Sequence, residues 1–258
     1  MYYLEKIKRF IRYYSAALRH AGVIDRRKLH AQWEIEHLRK IFQAYAVDCV
    51  FDVGANQGQY AQMLRKKVGY KGLIVSFEPI PAMAAQVREQ ASRDPLWVVC
   101  EQALSSSDGA QVLNVMRGSQ FSSLSTPRHD EVGIFKNMNV VQEQVSVKTE
   151  TLATAYKRLK EQHPFQRPFL KMDTQGYDVR IFRSGASVVQ AFVGLQSELA
   201  IKKIYADSMD FKEALAEYSQ AGFSLSALVP NNAGHFPLLV EVDCLMVRTD
   251  LIRDLASQ

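Results

Sequence analysis

The sequence predicts an α/β fold: a doubly wound, mostly parallel sheet with a terminal antiparallel hairpin and an N-terminal helical extension. Three observations carry this. From residue 49 onward, short β-rich apolar runs alternate with helical runs of ten or so residues, which implies right-handed crossovers between parallel strands. Two of the runs, CVFDV at 49–53 and PFLKMD at 168–173, end on a carboxylate and pass through a glycine turn into a helix. The last two, FSLSALV at 223–229 and LLVEVDCLMVR at 238–248, are separated only by PNNAGHFP, so they are expected to pair antiparallel.

The elements follow in order. Residues 2–19 place Leu4, Ile7, Ile11, Tyr14 and Leu18 at helical spacing, with basic residues between them. After a break near Gly22, a second helix is predicted over 28–45, using Leu29, Trp33, Leu38, Ile41 and Phe42. Residues 1–43 hold ten Lys or Arg against four Asp or Glu, so the formal net charge of +5 resides in this segment. The two helices are expected to cap the core or to join a homodimer, with peripheral contact to an anionic membrane as the lesser alternative. We therefore divide the chain into a helical extension, 1–46, and an α/β domain, 47–258.

Within that domain the predicted order is strand 49–53, helix 58–68, strand 72–79, helix 81–92 and strand 96–104. Two short strands, 110–116 and 143–150, flank the polar stretch RGSQFSSLSTPRHDEVG, a loop long enough to suggest a functional role. A helix over 151–161 is capped by Thr149 or Thr151. Strand 192–199 follows the second strand-carboxylate-turn segment, and a helix over 211–223 is closed by Gly222.

Composition narrows the class. With 47% apolar and 23% charged residues among 258, the chain reads as an ordinary soluble globular protein. No apolar stretch is long enough to cross a bilayer, and the charged N-terminus lacks a small-residue cleavage site, so a cytoplasmic location is expected. Cys49, Cys100 and Cys244 lie in or beside apolar runs without C-x-x-C spacing, and read as reduced core thiols. The six histidines form no ligand spacing, and no metal is expected.

Parallel sheets bind ligands beyond the carboxyl ends of their strands. Here those ends are Asp52, Glu78, Asp173 and Glu198, all acidic. A dinucleotide pyrophosphate needs close glycine backbone free of negative side chains. Asp52 precedes the turn, and Asn56 stands where the second glycine of the dinucleotide fingerprint belongs. A cofactor without phosphate but with a cationic centre and an ammonium group suits these surroundings better, and S-adenosyl-L-methionine has both. Gly54 and Gly58 let backbone approach its amino-acid tail, Asp52 is placed near the ammonium, and Glu78 accepts from the ribose hydroxyls. A dinucleotide site remains the alternative, since Glu78 reads the same in both.

The ordered set VFDVGANQGQY, VSFEP, CEQALSSSDG, SQFSSL, VKTETL, FLKMDTQGYDVRIFRSGA and VGLQSEL resembles the FkbM family of S-adenosylmethionine-dependent methyltransferases over roughly residues 47–248. The resemblance implies a Rossmann-like methyltransferase sheet. It assigns Asp52, Gly54, Asn56 and Gly58 to the cofactor tail loop and Glu78 to the ribose. It places Ala103, Leu104 and Ser105 on the adenine side, and it favours a pocket role for the serines of SQFSSL, Ser122 among them. Asp173 matches the acid of the family's D-x-x-G element, where this chain has Thr174-Gln175-Gly176 in place of the commoner valine-glutamate-glycine.

The implied reaction is O-methyl transfer to a small molecule, sugar or glycan. Asp173 is the first candidate for the base that takes the hydroxyl proton, Glu198 the second and His235 the third, while His129 reads as an ordinary loop residue. The competing class is a noncatalytic cofactor-binding or scaffold protein whose basic helices recruit a partner. A nucleic-acid acceptor is not expected, because the basic segment carries no recognition-module signature.

Overall fold

Three five-residue apolar strands, β1 (Cys49–Val53), β2 (Leu73–Phe77) and β7 (Pro168–Met172), are buried along their whole length. Runs of this kind are stable only where helices cover both faces of the sheet. The computed structural model describes residues 29–118, 122–125, 140–203, 205, 208–230 and 237–256. It shows a seven-stranded sheet in the order β3 (Trp97–Cys100), β2, β1, β7, β8 (Gly194–Ala200), β10 (Glu241–Arg248), β9 (Phe223–Pro230). β1 pairs in parallel with β2 (Cys49 opposite Leu73) and with β7 (Cys49 opposite Pro168). β3 (Trp97–Cys100) extends one edge beyond β2, and β8 (Gly194–Ala200) continues from β7.

The terminal pair is β9 (Phe223–Pro230) and β10 (Glu241–Arg248). β10 inserts between β8 and β9 and runs antiparallel to both, so it alone is reversed in this sheet and β9 forms the edge. Its first residues consequently lie at the same end as the carboxyl ends of the parallel strands: Asp243 stands opposite Glu198 and Glu241 opposite Ala200.

Alternation along each strand divides the core. Phe51, Phe77 and Met172 point into one layer with α4 (Leu152–Gln162), α5 (Asp178–Ser184) and α6 (Phe211–Gln220). Val50, Ile74 and Phe169 point into the other, with α1 (Leu29–Ala44), α2 (Gln59–Met63) and α3 (Pro81–Ala91). The C-terminal α7 (Thr249–Ala256) adds Leu251 and Ile252 to that second layer. α2 continues as a π-helical turn over Leu64–Val68 and stops at Gly69.

The second predicted helix is therefore present as α1, with a correction to its face. Ile35, Leu38, Ile41 and Phe42 form the buried stripe, whereas Trp33 is 60% exposed. Residue 33 lies two positions, about 200° around the helix, from Ile35, so both cannot face the sheet. The stripe of α1 is spent on its own chain's sheet. The predicted helix over 2–19 lies outside the described residues, as does most of the long polar loop.

A second correction concerns residues 96–104, which are not one strand. β3 ends at Cys100, whose carbonyl accepts from both Glu78 N and Gln102 N, and the chain turns there. β4 (Ala103–Ser105) leaves the main sheet and pairs in parallel with β6 (Val141–Thr151), which pairs antiparallel with β5 (Gly109–Met116). The Gln102 amide, hydrogen-bonded to Glu150, ties this turn to β6. No helix among the described residues is long and apolar enough to cross a membrane. Cys49 and Cys244 are buried, and all three thiols are free.

Candidate active site

The strand order reverses between β1 and β7, because β2 and β3 lie on one side of β1 and β7 and β8 on the other. A crevice opens beyond the carboxyl ends at such a place. Here it is a cavity of about 500 Å³, walled by the turns after β1, β2 and β7, the end of β8 and the start of β10.

The turn after β1 is pressed against the turn after β7. Gly54 has φ +77°, and a Cβ there would stand 2.0 Å from the Asp173 carbonyl oxygen. Only glycine fits this crossing. Gly54 N and Ala55 N both donate to Phe77 O, and Asp173 N donates to Val53 O, so the three strand ends are cross-tied. Asn56, also left-handed at φ +47°, donates its backbone N–H to Glu78 Oε2 at 2.8 Å.

Glu78 is 4% exposed and accepts from Asn56 N and from Ile80 N at 2.9 Å. Burial nonetheless wins over these two amides and pushes its carboxyl up to about 7. Each oxygen keeps a second lone pair for a further donor.

Beneath the turn runs a row of three polar side chains across the sheet. Asp52 is register partner to Ser76 on β2 and to Lys171 on β7. Ser76 Oγ donates to Asp52 Oδ2 at 2.9 Å and receives Trp97 Nε1 at the same distance. Oδ1 of Asp52 makes no hydrogen bond of good geometry, and its compensation is the Lys171 ammonium at 3.3 Å. Nζ of Lys171 also lies 3.6 Å from Asp173 Oδ2, 3.3 Å from Gly54 O and 5.2 Å above the Tyr60 ring. Burial opposes the ammonium, but Asp173 and Asp52 together outweigh it and hold the pKa above the usual lysine range.

The far wall is acidic. Glu198 is pushed well up by burial and then by Glu241, and it hydrogen-bonds to Glu241, whose own carboxyl burial raises to about 7. Asp243 is raised by desolvation and then by Glu34. Glu34 comes from α1 and accepts from Gln196 Nε2 at 2.9 Å, while Gln196 Oε1 accepts from Tyr60 at 2.9 Å. Among the described residues no group of three His, Cys, Asp or Glu is arranged to hold a metal ion.

The residues from Asp52 in β1 to Leu225 in β9 match the methyltransferase FkbM domain, residues 52–225. The chain belongs to the FkbM methyltransferase family. It is an S-adenosylmethionine-dependent methyltransferase with a Rossmann-like α/β fold. Among solved structures it is similar to magnesium protoporphyrin IX methyltransferase from Synechocystis PCC 6803 with bound SAM (10% identity, 88% of this chain and 86% of that one, TM-score 0.46). It is also similar to the N-methyltransferase NodS from Bradyrhizobium japonicum WM9 (9% identity, 87% and 99%, TM-score 0.47). A third is an S-adenosylmethionine-dependent methyltransferase from Clostridium acetobutylicum ATCC 824 (8% identity, 94% and 98%, TM-score 0.45). No curated protein matches the chain.

The cavity of this methyltransferase suits its cofactor on its own chemistry. Gly54 leaves backbone bare at the wall, Glu78 presents two spare lone pairs, and Phe77, Ile80, Leu104 and Leu113 give an apolar flank for a purine. Of the residues expected from sequence, Gly54, Asn56, Glu78, Ala103, Leu104, Ser122, Asp173 and Glu198 line the cavity. Three do not. Asp52 is fully buried under the turn and engaged by Lys171 and Ser76, so it does not face the cavity as expected for an ammonium partner. Gly58, at φ +81°, starts α2 and has the Trp97 ring 3.2 Å from where a Cβ would lie. Ser105 is buried, with its hydroxyl on Gln111 Oε1 at 3.0 Å. His235 and His129 lie outside the described residues.

The sequence reading missed Lys171, Gln175, Glu34 and Asp178. Lys171 had a signal, a single charge inside the apolar run FLKM. Asp178 is buried at the start of α5, where its carboxylate accepts from Thr174 N at 2.9 Å, Ser197 Oγ at 2.9 Å and Glu198 N at 3.1 Å, locking the Asp173 turn onto β8. Glu34 lies on a helix outside the family match, and nothing in its local sequence points to the cavity.

Proposed function

We propose that this methyltransferase transfers a methyl group to a hydroxyl of a small molecule, sugar or glycan, with Asp173 as the proton acceptor. The observation that carries the reading is the position of Asp173. It ends β7 at the reversal of strand order, its carboxylate is 42% exposed in the cavity wall, and its backbone N–H is fixed on Val53 O at 3.1 Å. A base needs contact with the acceptor together with a fixed orientation.

S-adenosylmethionine, when bound, would supply a sulfonium methyl whose C–S bond breaks as the acceptor oxygen bonds to its carbon, with S-adenosylhomocysteine leaving as the neutral thioether. Gly54, Asn56 and Glu78 hold the cofactor, the last through its ribose hydroxyls. Asp173 takes the proton on the carboxylate edge that faces the cavity. Glu198, the second candidate, is pushed toward its protonated form by burial and by Glu241, which disfavours it as the base. A wall containing Glu34, Glu198, Glu241 and Asp243, three of whose carboxyls burial pushes toward the neutral form, offers hydrogen-bonding oxygens that suit a hydroxylated acceptor.

The test uses the full chain, methyl-labelled S-adenosylmethionine and fractionated lysate, with mass spectrometry of the labelled product. Asp173→Asn is expected to keep S-adenosylhomocysteine affinity within a few-fold by calorimetry while turnover falls by about 100-fold or more. Turnover close to that of the parent, or loss of cofactor binding, overturns the assignment.

A further inference from the structure

The turn after β7 holds a side chain in an uncommon setting. Gln175 is a non-glycine residue at φ +54° and is 8% exposed. Its backbone is held there by Ser123, whose Oγ donates to Gln175 O at 2.9 Å and to Thr174 O at 3.2 Å. Left-handed backbone at a non-glycine residue costs on the order of 1 kcal/mol and persists where the surroundings impose it.

The imposed geometry aims the amide between two acids. Nε2 of Gln175 donates to Asp173 Oδ1 at 3.1 Å and to Glu198 Oε2 at 2.8 Å, which uses both of its hydrogens. Oε1 accepts from the Tyr205 hydroxyl at 3.2 Å. A flipped amide would turn its oxygen toward two carboxyl oxygens, so Tyr205 and the two acids select one orientation.

We propose that Gln175 is a positioning residue, whose side-chain amide holds the Asp173 carboxylate in the orientation that accepts the substrate proton and separates it from Glu198. The inference rests on the reading of Asp173 as the base. The amide is neutral and donates two hydrogen bonds, so it satisfies two acids without adding charge. With Oδ1 engaged by the amide and Oδ2 facing Lys171, the Asp173 carboxylate has one rotamer rather than several.

The test needs no acceptor. Full-length protein carrying 13C,15N-labelled aspartate is studied by NMR at a single pH, with the Asp173 resonances identified by their loss in Asp173→Asn, and the three-bond couplings of its carboxyl carbon report the side-chain rotamer. In Gln175→Met, which keeps length and removes both donors, the single-rotamer couplings expected of the parent should collapse to averaged values. In the isosteric Gln175→Glu, which sets a third acid between the two, they should change as well. S-adenosylhomocysteine affinity is expected to stay within a few-fold in both, since no cofactor-holding group is altered. Should Gln175→Met not fold, Gln175→Glu carries the test alone. Asp173 couplings in the folded variants that overlay those of the parent overturn the positioning role. Retained turnover in Asp173→Asn would instead defeat the base assignment while leaving the coupling result intact, so the two failures are distinguishable.

Discussion

Lys171 and Asp52 are register partners on adjacent parallel strands, and their charged ends meet 3.3 Å apart beneath the turn that closes the cavity. Asp52 has no exposure, and its Oδ1 has no alternative donor. The pair is therefore the foundation on which the Gly54 turn rests, with Nζ also facing Gly54 O.

Removing one partner should cost far more than removing both. Lys171→Met would leave a buried carboxylate uncompensated, and its expected cost is about 3–5 kcal/mol, read as a fall in the urea midpoint at constant slope. Asp52→Asn combined with Lys171→Met should recover a large part of that loss, because a neutral amide still accepts from Ser76. If the double variant is as unstable as the single one, the two charges are not acting as a pair.

The glycine turn offers a comparison between two left-handed positions. Gly54 has φ +77° with the Asp173 carbonyl oxygen in the way of any Cβ, while Gly69 has φ +80° with nothing within 4 Å. Gly69→Ala should cost roughly 1 kcal/mol, the backbone strain alone. Gly54→Ala should cost about 3 kcal/mol or more and abolish S-adenosylhomocysteine binding, since a backbone carbonyl cannot step aside without moving Asp173. Equal costs by urea denaturation would mean that the close crossing of β1 and β7 carries no energetic weight.

Much of the frame was legible because burial on both faces writes itself as continuous apolar runs: the strand at 49–53 coincides with β1, and the runs at 72–79 and 168–173 contain β2 and β7. Their acids marked the correct end of the sheet. What the runs did not tell was side-chain direction. Asp52 was expected near the cofactor's ammonium, directly or through water, yet alternation turns it toward Ser76 and Lys171. Aligning VFDV, IVSF and FLKM shows one polar residue at the same register in each, and that coincidence was readable. The break at Cys100 was not, since LWVVCEQAL contains no Gly, Pro, Asn or Asp to mark a turn, and the turn is fixed by Glu78 N and the Gln102–Glu150 contact, both distant in sequence. The Gln175 amide likewise depends on Glu198 and Tyr205, which only the folded chain brings together.

Glu78 should make cofactor binding pH-dependent, with a sign that follows from its surroundings. Burial holds its folded carboxyl at about 7, above the ordinary value of 4.5. A raised folded value stabilises the protein below pH 4.5, and that contribution is lost as pH climbs from there through 7. Ribose hydroxyls reverse the preference, because two O–H donors favour the ionised carboxylate. Binding should therefore release a proton, and S-adenosylhomocysteine affinity should be roughly tenfold higher at pH 8 than at pH 6. Calorimetry in two buffers of different ionisation enthalpy measures both quantities. Glu78→Gln should bind more weakly and lose the dependence between pH 6 and 8. A parent protein whose affinity is flat over that range, with no proton released, would show that the ribose is held elsewhere.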